Sequence, residues 1–217
     1  MKRWMYFGRL VCSPLIEKTR LWRSRFRLFW VVITAAAVVC WPTGYVDPAQ
    51  AVDAAFADTQ WHHASFPVEN FQAYTSPFGY RSDPYGNGRR FHYGLDMAAP
   101  AGSYIRSWWG GQVIEVSDDS SCGTSVVVQS GNWMHIYCHM QGHVVREGSD
   151  RYMVDAAGGL RIRQGQLVDT GTRIGRIGMT GRTTGPHLHW GLKYAENWVD
   201  PALVLRAMYS SQQAVTH

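Results

Sequence analysis

Between residues 71 and 203 the chain is broken into short apolar runs separated by glycine-containing turns. YIRSWWGGQVIEV, SVVVQ, MHIYC, LRIRQGQLV, RIGRIG and HLHWGLKY are each rich in β-branched and aromatic residues and read as strands. No segment carries a 3.6-residue apolar period until PALVLRAMY, a candidate short helix. This pattern excludes a helical bundle and predicts an all-β domain over 71–203, an antiparallel sheet with sandwich-like or barrel-like packing and a groove. Residues 141–160 are polar, contain Gly158-Gly159 and lack a clean period, so they read as a surface insertion. Residues 46–70 read as a linker and 204–217 as a C-terminal tail. His62, His63, His143 and His217 have no chemical company in sequence and read as exposed.

The formal charge of +5 is unevenly placed. Residues 1–27 hold eight Lys/Arg and one acid, Glu17, leaving 13 basic and 15 acidic residues for the rest. The part that folds therefore has no basic excess, which excludes a nucleic-acid-binding surface. After the basic segment 1–27 comes an apolar segment, 28–45, that includes the 14-residue run LFWVVITAAAVVCW. A basic stretch followed by an apolar one is export machinery. It serves either as a signal peptide cut at Ala49-Gln50-Ala51 or Ala55-Phe56-Ala57, or as an uncleaved membrane anchor with Trp30, Trp41 and Tyr45 at the interfaces. Both place the following residues outside the cytoplasm, in the cell envelope or periplasm. That compartment favours disulfides. Cys122 and Cys138 flank GTSVVVQSGNWMHIY, a strand–turn–strand pattern with Ser130-Gly131-Asn132 at the turn. Near-symmetric placement about the turn predicts a Cys122–Cys138 disulfide across a hairpin.

Three short motifs carry chemistry. In FHYGLDM, read as a strand, His92, Gly94 and Asp96 share one face, and Tyr93, Leu95 and Met97 the other, apolar one. An imidazole, a gap and a carboxylate suit one Zn²⁺ with an open coordination position. A third ligand has to come from elsewhere, and HLH offers His187 or His189 on one strand face. In MHIYCHM, His135, Tyr137 and His139 share a face; His139 lines a groove, with Tyr137 and His135 as possible neighbours in it.

Taken together and in order, SPFGYRSDPYG, FHYGLDMAAPAG, IYCHM, GQLVDTGTRIGRIGMTGRTTGPHLHW and WVDP resemble the LytM/lysostaphin-type zinc endopeptidases across most of 75–201. The resemblance implies a β-rich metallohydrolase that cleaves peptide bonds of peptidoglycan, in a stem peptide or cross-bridge. It implies that His92, Asp96 and His189 bind zinc, and that His139 and His187 are catalytic. A non-catalytic relative that binds the wall or activates a partner hydrolase would be expected to lack this ligand set. The chain departs from the family in Met140, where leucine is usual, and in Gly191, where an acidic residue is frequent. The 141–160 segment is longer than usual, and Trp108-Trp109 replace small residues; both are expected at the groove walls.

Overall fold

The computed structural model describes residues 61–86 and 88–215. The leader, its apolar segment and both candidate cleavage sites lie outside the described residues, as does His217. Strand-forming runs become strands where the sequence alternates. The main sheet has eight strands: β1 (Ala73–Ser76), β4 (Leu95–Ala98), β6 (Gly111–Ser117), β7 (Ser125–Ser130), β8 (Trp133–Cys138), β12 (Leu167–Val168), β14 (His187–Tyr194) and β15 (Asn197–Val199). Their spatial order is β1-β4-β14-β8-β7-β6-β12, with every pairing antiparallel. β15 pairs with β14 at Leu192–Tyr194, beyond the part of β14 that pairs with β4. A hairpin of β2 (Gly79–Ser82) and β3 (Arg89–His92) stands apart, as does the pair β5 (Tyr104–Arg106) and β13 (Arg173–Arg176).

Side-chain alternation gives the main sheet a packed face and a groove face. Along β14, Leu188, Trp190 and Leu192 are fully buried, while His187 and His189 point to the other side. Trp108 fills the centre of the core, with ring centroids 5.3–5.8 Å from Trp61, Trp133 and Trp190. Neither Trp108 nor Trp109 lines the groove, contrary to the sequence expectation. A large indole at 108 is absorbed by the other tryptophans of the core.

The domain reaches further at both ends than its strands suggested. Within the expected linker, Trp61, Ala64 and Val68 are buried, and Trp61–His63 form a 3₁₀ turn. The expected tail is part of a helix, α1 (Pro201–Val215), which buries Val204, Leu205 and Met208. Those three positions fall on one helical face. The Gln212 side-chain amide donates to the Ala64 carbonyl at 2.9 Å, so the two ends brace each other.

Residues 141–160, read from sequence as a surface insertion, are largely sheet. β9 (His143–Glu147) and β10 (Asp150–Asp155) pair antiparallel, and β11 (Leu160–Arg163) adds to β10. Gly148, at φ 60°, supplies the turn between β9 and β10. Met153 is fully buried, and Arg176 holds buried Asp155 through two bonds of 2.6 and 2.7 Å. None of these residues borders the groove.

Cys122 and Cys138 are joined. The hairpin register, Ser130 opposite Trp133 and Val126 opposite Tyr137, aims Cys138 at Ser125 rather than at Cys122. Cys122 lies in the loop before β7, and its carbonyl accepts from the His139 N–H at 2.8 Å. The expected bond therefore forms through a fold-back of that loop, not through direct opposition across the hairpin.

Candidate metal centre

His189 on β14 stands directly opposite Asp96 on β4, so both project onto the groove face. His92 arrives by another route. In one continuous strand, residues four apart are separated by about 13 Å, too far to share an ion. The chain instead breaks at Tyr93-Gly94, ending β3 at His92 and starting β4 at Leu95. The break brings His92 Nε2 to 3.0 Å from Asp96 Oδ1 and 2.9 Å from His189 Nδ1. His189 Nδ1 lies 2.8 Å from the same carboxylate oxygen. It also turns Tyr93 outward to 48% exposure, so only Leu95 and Met97 of the expected apolar face are packed.

Gly94 is what permits this approach, though not by leaving a gap for an ion. A Cβ at position 94 would sit 2.6 Å from His189 Cε1, 2.7 Å from its Nε2 and 2.7 Å from the Trp190 carbonyl oxygen. The space belongs to the third imidazole. Gly94→Ala is therefore expected to displace His189 and to lower metal content and activity together, by about tenfold or more. Metal analysis of the purified variant checks this; full metal content would contradict it.

The donor set fits a zinc ion. His92 Nδ1 lies 2.8 Å from the Pro77 carbonyl, an acceptor, so it carries the ring proton and leaves a lone pair on Nε2 in the neutral ring. That lone pair faces Asp96 Oδ1, a second acceptor. Two acceptors this close are attracted only through a proton or a cation between them. His92, Asp96 and His189 each offer an atom within 4.8 Å of the others. The separations of 2.8–3.0 Å among these atoms are a few tenths short of the roughly 3.3 Å edge of a tetrahedron with zinc-length bonds.

Two further imidazoles face this cluster. His139 follows the end of β8 in a left-handed conformation, φ 61°, uncommon for a residue with a side chain. Backbone bonds on both sides hold it there: its N–H donates to the Cys122 carbonyl at 2.8 Å, and its carbonyl accepts from the Gly178 N–H at 2.9 Å. The turn takes His139 off the strand, with its ring centroid 4.9 Å from that of His187 and 6.0 Å from that of His189. His139 Nδ1 donates to the Thr180 carbonyl at 2.9 Å, and His187 Nδ1 donates to the Gly185 carbonyl at 2.8 Å. Each ring thus has only Nε2 left to offer. His187 Nε2 is 3.6 Å from Asp96 Oδ1, an ionic contact rather than a hydrogen bond.

Burial alone would raise the Asp96 carboxyl, but its contacts with His187, His189 and His92 outweigh that and hold it well below the usual carboxylate range. Burial pushes the His139 imidazole down to about 4, which keeps it neutral at pH 7. Burial also lowers His189. It pulls His187 the same way, but Asp96 pulls harder and the net shift is upward.

His135 and Tyr137 do not line the groove. Both are fully buried on the packed side of β8, whereas Ile136 and Cys138 border the groove. Their polar atoms are satisfied within the core. Ser130 Oγ donates to the Gly110 carbonyl at 2.7 Å, so it accepts from His135 Nε2 at 2.8 Å. His135 Nδ1 then accepts from the Tyr137 hydroxyl at 2.7 Å, whose oxygen accepts from the Trp108 N–H at 2.7 Å. With no charge nearby to support a proton, burial drives His135 down to about 3. The shared face of His135 and Tyr137 is real, but it is the core face, and His139 leaves it by its left-handed turn. His143 and His63 are exposed and His62 half-buried, away from the cluster. The carbonyls of Pro77, Thr180 and Gly185, which orient three histidines, carry no side-chain signal that sequence reasoning could have used.

The cluster sits in a groove of about 480 Å³ that also carries Arg81, Arg90 and Arg182. The Cys122–Cys138 bond lies in its wall. A model of peptidase family M23 matches residues 90–152 and 151–201. The DD-carboxypeptidase/endopeptidase Mpg of Neisseria meningitidis is 31% identical over 131 residues, 60% of this chain and 26% of that protein. The peptidoglycan DD-endopeptidase ShyA of Vibrio cholerae is 35% identical over 102 residues, 46% of this chain and 20% of that protein. The match thus spans about a quarter or less of the length of these relatives. Among solved structures, a zinc-containing peptidase from Vibrio cholerae is similar with a TM-score of 0.49 at 29% identity, over 66% of this chain and 38% of that one. The family match takes in all five clustered residues, His92, Asp96, His139, His187 and His189, and more than half of the sequence; the chain belongs to peptidase family M23.

Proposed function

We propose that this chain is a zinc-dependent endopeptidase that hydrolyses peptide bonds of peptidoglycan in the cell envelope. The observation that carries the reading is the convergence of His92 Nε2, Asp96 Oδ1 and His189 Nδ1 beneath two further imidazoles in an open groove. The relatives named as peptidoglycan DD-endopeptidases support the substrate class. The basic and apolar leader supports export, either as a membrane anchor or as a cleaved signal.

His92, Asp96 and His189 would hold one zinc ion, which when bound polarises a peptide carbonyl and acidifies a water. His92 is fixed for that task by its bond to the Pro77 carbonyl. His139 and His187 are fixed by the Thr180 and Gly185 carbonyls, each with Nε2 turned to the groove. One of them takes the proton of the attacking water. The other donates to the developing oxyanion or to the leaving amine. Chelation is expected to abolish solubilisation of purified peptidoglycan, with added zinc restoring it. Solubilisation that persists through chelation would overturn the reading.

A further inference from the structure

Arg81 and Arg90 face each other in the β2–β3 hairpin. Directly opposed residues of an antiparallel pair project on the same face, and like charges there destabilise the pair. The same register pairs Gly79 with His92, so both arginines lie on the face that presents His92, about 7 Å along the strands. Both line the groove. Arg81 leans toward the cluster, with Nη2 3.8 Å from Asp96 Oδ2, and its Nε is buried without a hydrogen-bond partner. Arg90 makes no ion pair among the described residues. The third arginine of the groove is already engaged: Arg182 pairs with Asp83 at 3.4 Å and covers the Tyr85 ring at 4.3 Å.

A hairpin that opposes two cations, next to a hydrolytic site and with spare guanidinium donors, is built for an anion. Guanidinium forks match carboxylates in two-bond geometry. In a peptidase groove the anion has to be part of a peptide. We propose that Arg81 and Arg90 form a carboxylate-binding subsite that makes acidic peptides the preferred substrates, with the free carboxylate close to the bond cut. This subsite rests on the proposed peptidase activity. The carboxylate comes either from a side chain within the peptide or from its C-terminus.

The test uses the full chain with zinc and cross-linked peptide substrates, either with free carboxylates or with those carboxylates amidated. The wild type is expected to show a KM about ten- to a hundredfold higher on the amidated form. Arg90→Gln should show a similar rise on the acidic form, with kcat within about twofold, and no further loss on the amidated form. Arg90→Lys should recover part of the difference, since it keeps the charge without the fork. Arg90→Gln should melt at the same temperature as the wild type or higher, because it relieves the opposed cations. Amidating only the side chain or only the C-terminus identifies which carboxylate is read. Equal KM on both forms, or a fall in kcat at unchanged KM in Arg90→Gln, would overturn the subsite while leaving the hydrolase intact. If the wild type cuts neither form, the hydrolase reading itself fails and the subsite falls with it.

Discussion

Asp96→Ala is expected to strip the metal from the protein and abolish activity. A single oxygen, Asp96 Oδ1, lies 2.8–3.0 Å from His189 and His92 and 3.6 Å from His187, so this carboxylate ties three imidazoles together. Residues that only orient a ligand are worth about 10–100-fold in metal affinity, and a direct ligand is worth no less than the upper end of that range. Without the carboxylate, three imidazoles face one another with no negative charge among them, which further disfavours a dication. Metal analysis after dialysis should fall from about one ion per chain to a small fraction, with hydrolysis falling in parallel. Retention of metal by Asp96→Ala would remove Asp96 from the ligand set.

His139→Ala is expected to separate the two losses. His139 makes its side-chain bond to the Thr180 carbonyl and contacts the cluster only ring to ring. Its removal should leave metal content unchanged and lower turnover by about 10²–10⁴-fold, the range for a lost general acid or base. Rates expressed per bound metal ion check this. Loss of metal along with activity would move His139 into coordination and leave His187 as the sole candidate for proton transfer. The left-handed backbone at 139 is held by neighbouring backbone groups, so truncating the side chain should not disturb it.

The chemistry of the site was more legible than its geometry. His92-x-x-x-Asp96 and the His187-x-His189 doublet marked side chains that the fold brings together, because imidazole and carboxylate spacing is a chemical signal that survives without coordinates. The strand reading of FHYGLDM nevertheless could not have brought His92 to Asp96. What does so is a break at Gly94 whose value lies in the approach of His189, a residue 95 positions further on. Alternation correctly grouped His135 with Tyr137 but could not tell groove from core, since buried polar groups look exposed until Ser130 and the Trp108 amide are seen to satisfy them. His139 followed the same logic until its backbone turned left-handed, a conformation set by the Cys122 and Gly178 backbone and invisible in its own neighbours. In the fold, short strands and an antiparallel sheet followed from local pattern. The buried ends did not: Trp61 and Met208 enter the core only because a 3₁₀ turn and the C-terminal helix meet. Arg81 and Arg90 lay in or beside motifs that the sequence singled out, but their opposition is a matter of register, which only the folded hairpin reveals.

The bond that is cut decides whether the five clustered residues hydrolyse peptides. Mass spectrometry of muropeptides released by the zinc-loaded chain tests it most directly. The expected products are peptides divided at an amide, each cut adding one water and creating one new amine and one new carboxylate, with the glycan strands intact. Release of intact peptides on shortened glycans, or no release by a chain that carries its zinc, would contradict the assignment of His92, Asp96, His139, His187 and His189 to peptide-bond hydrolysis.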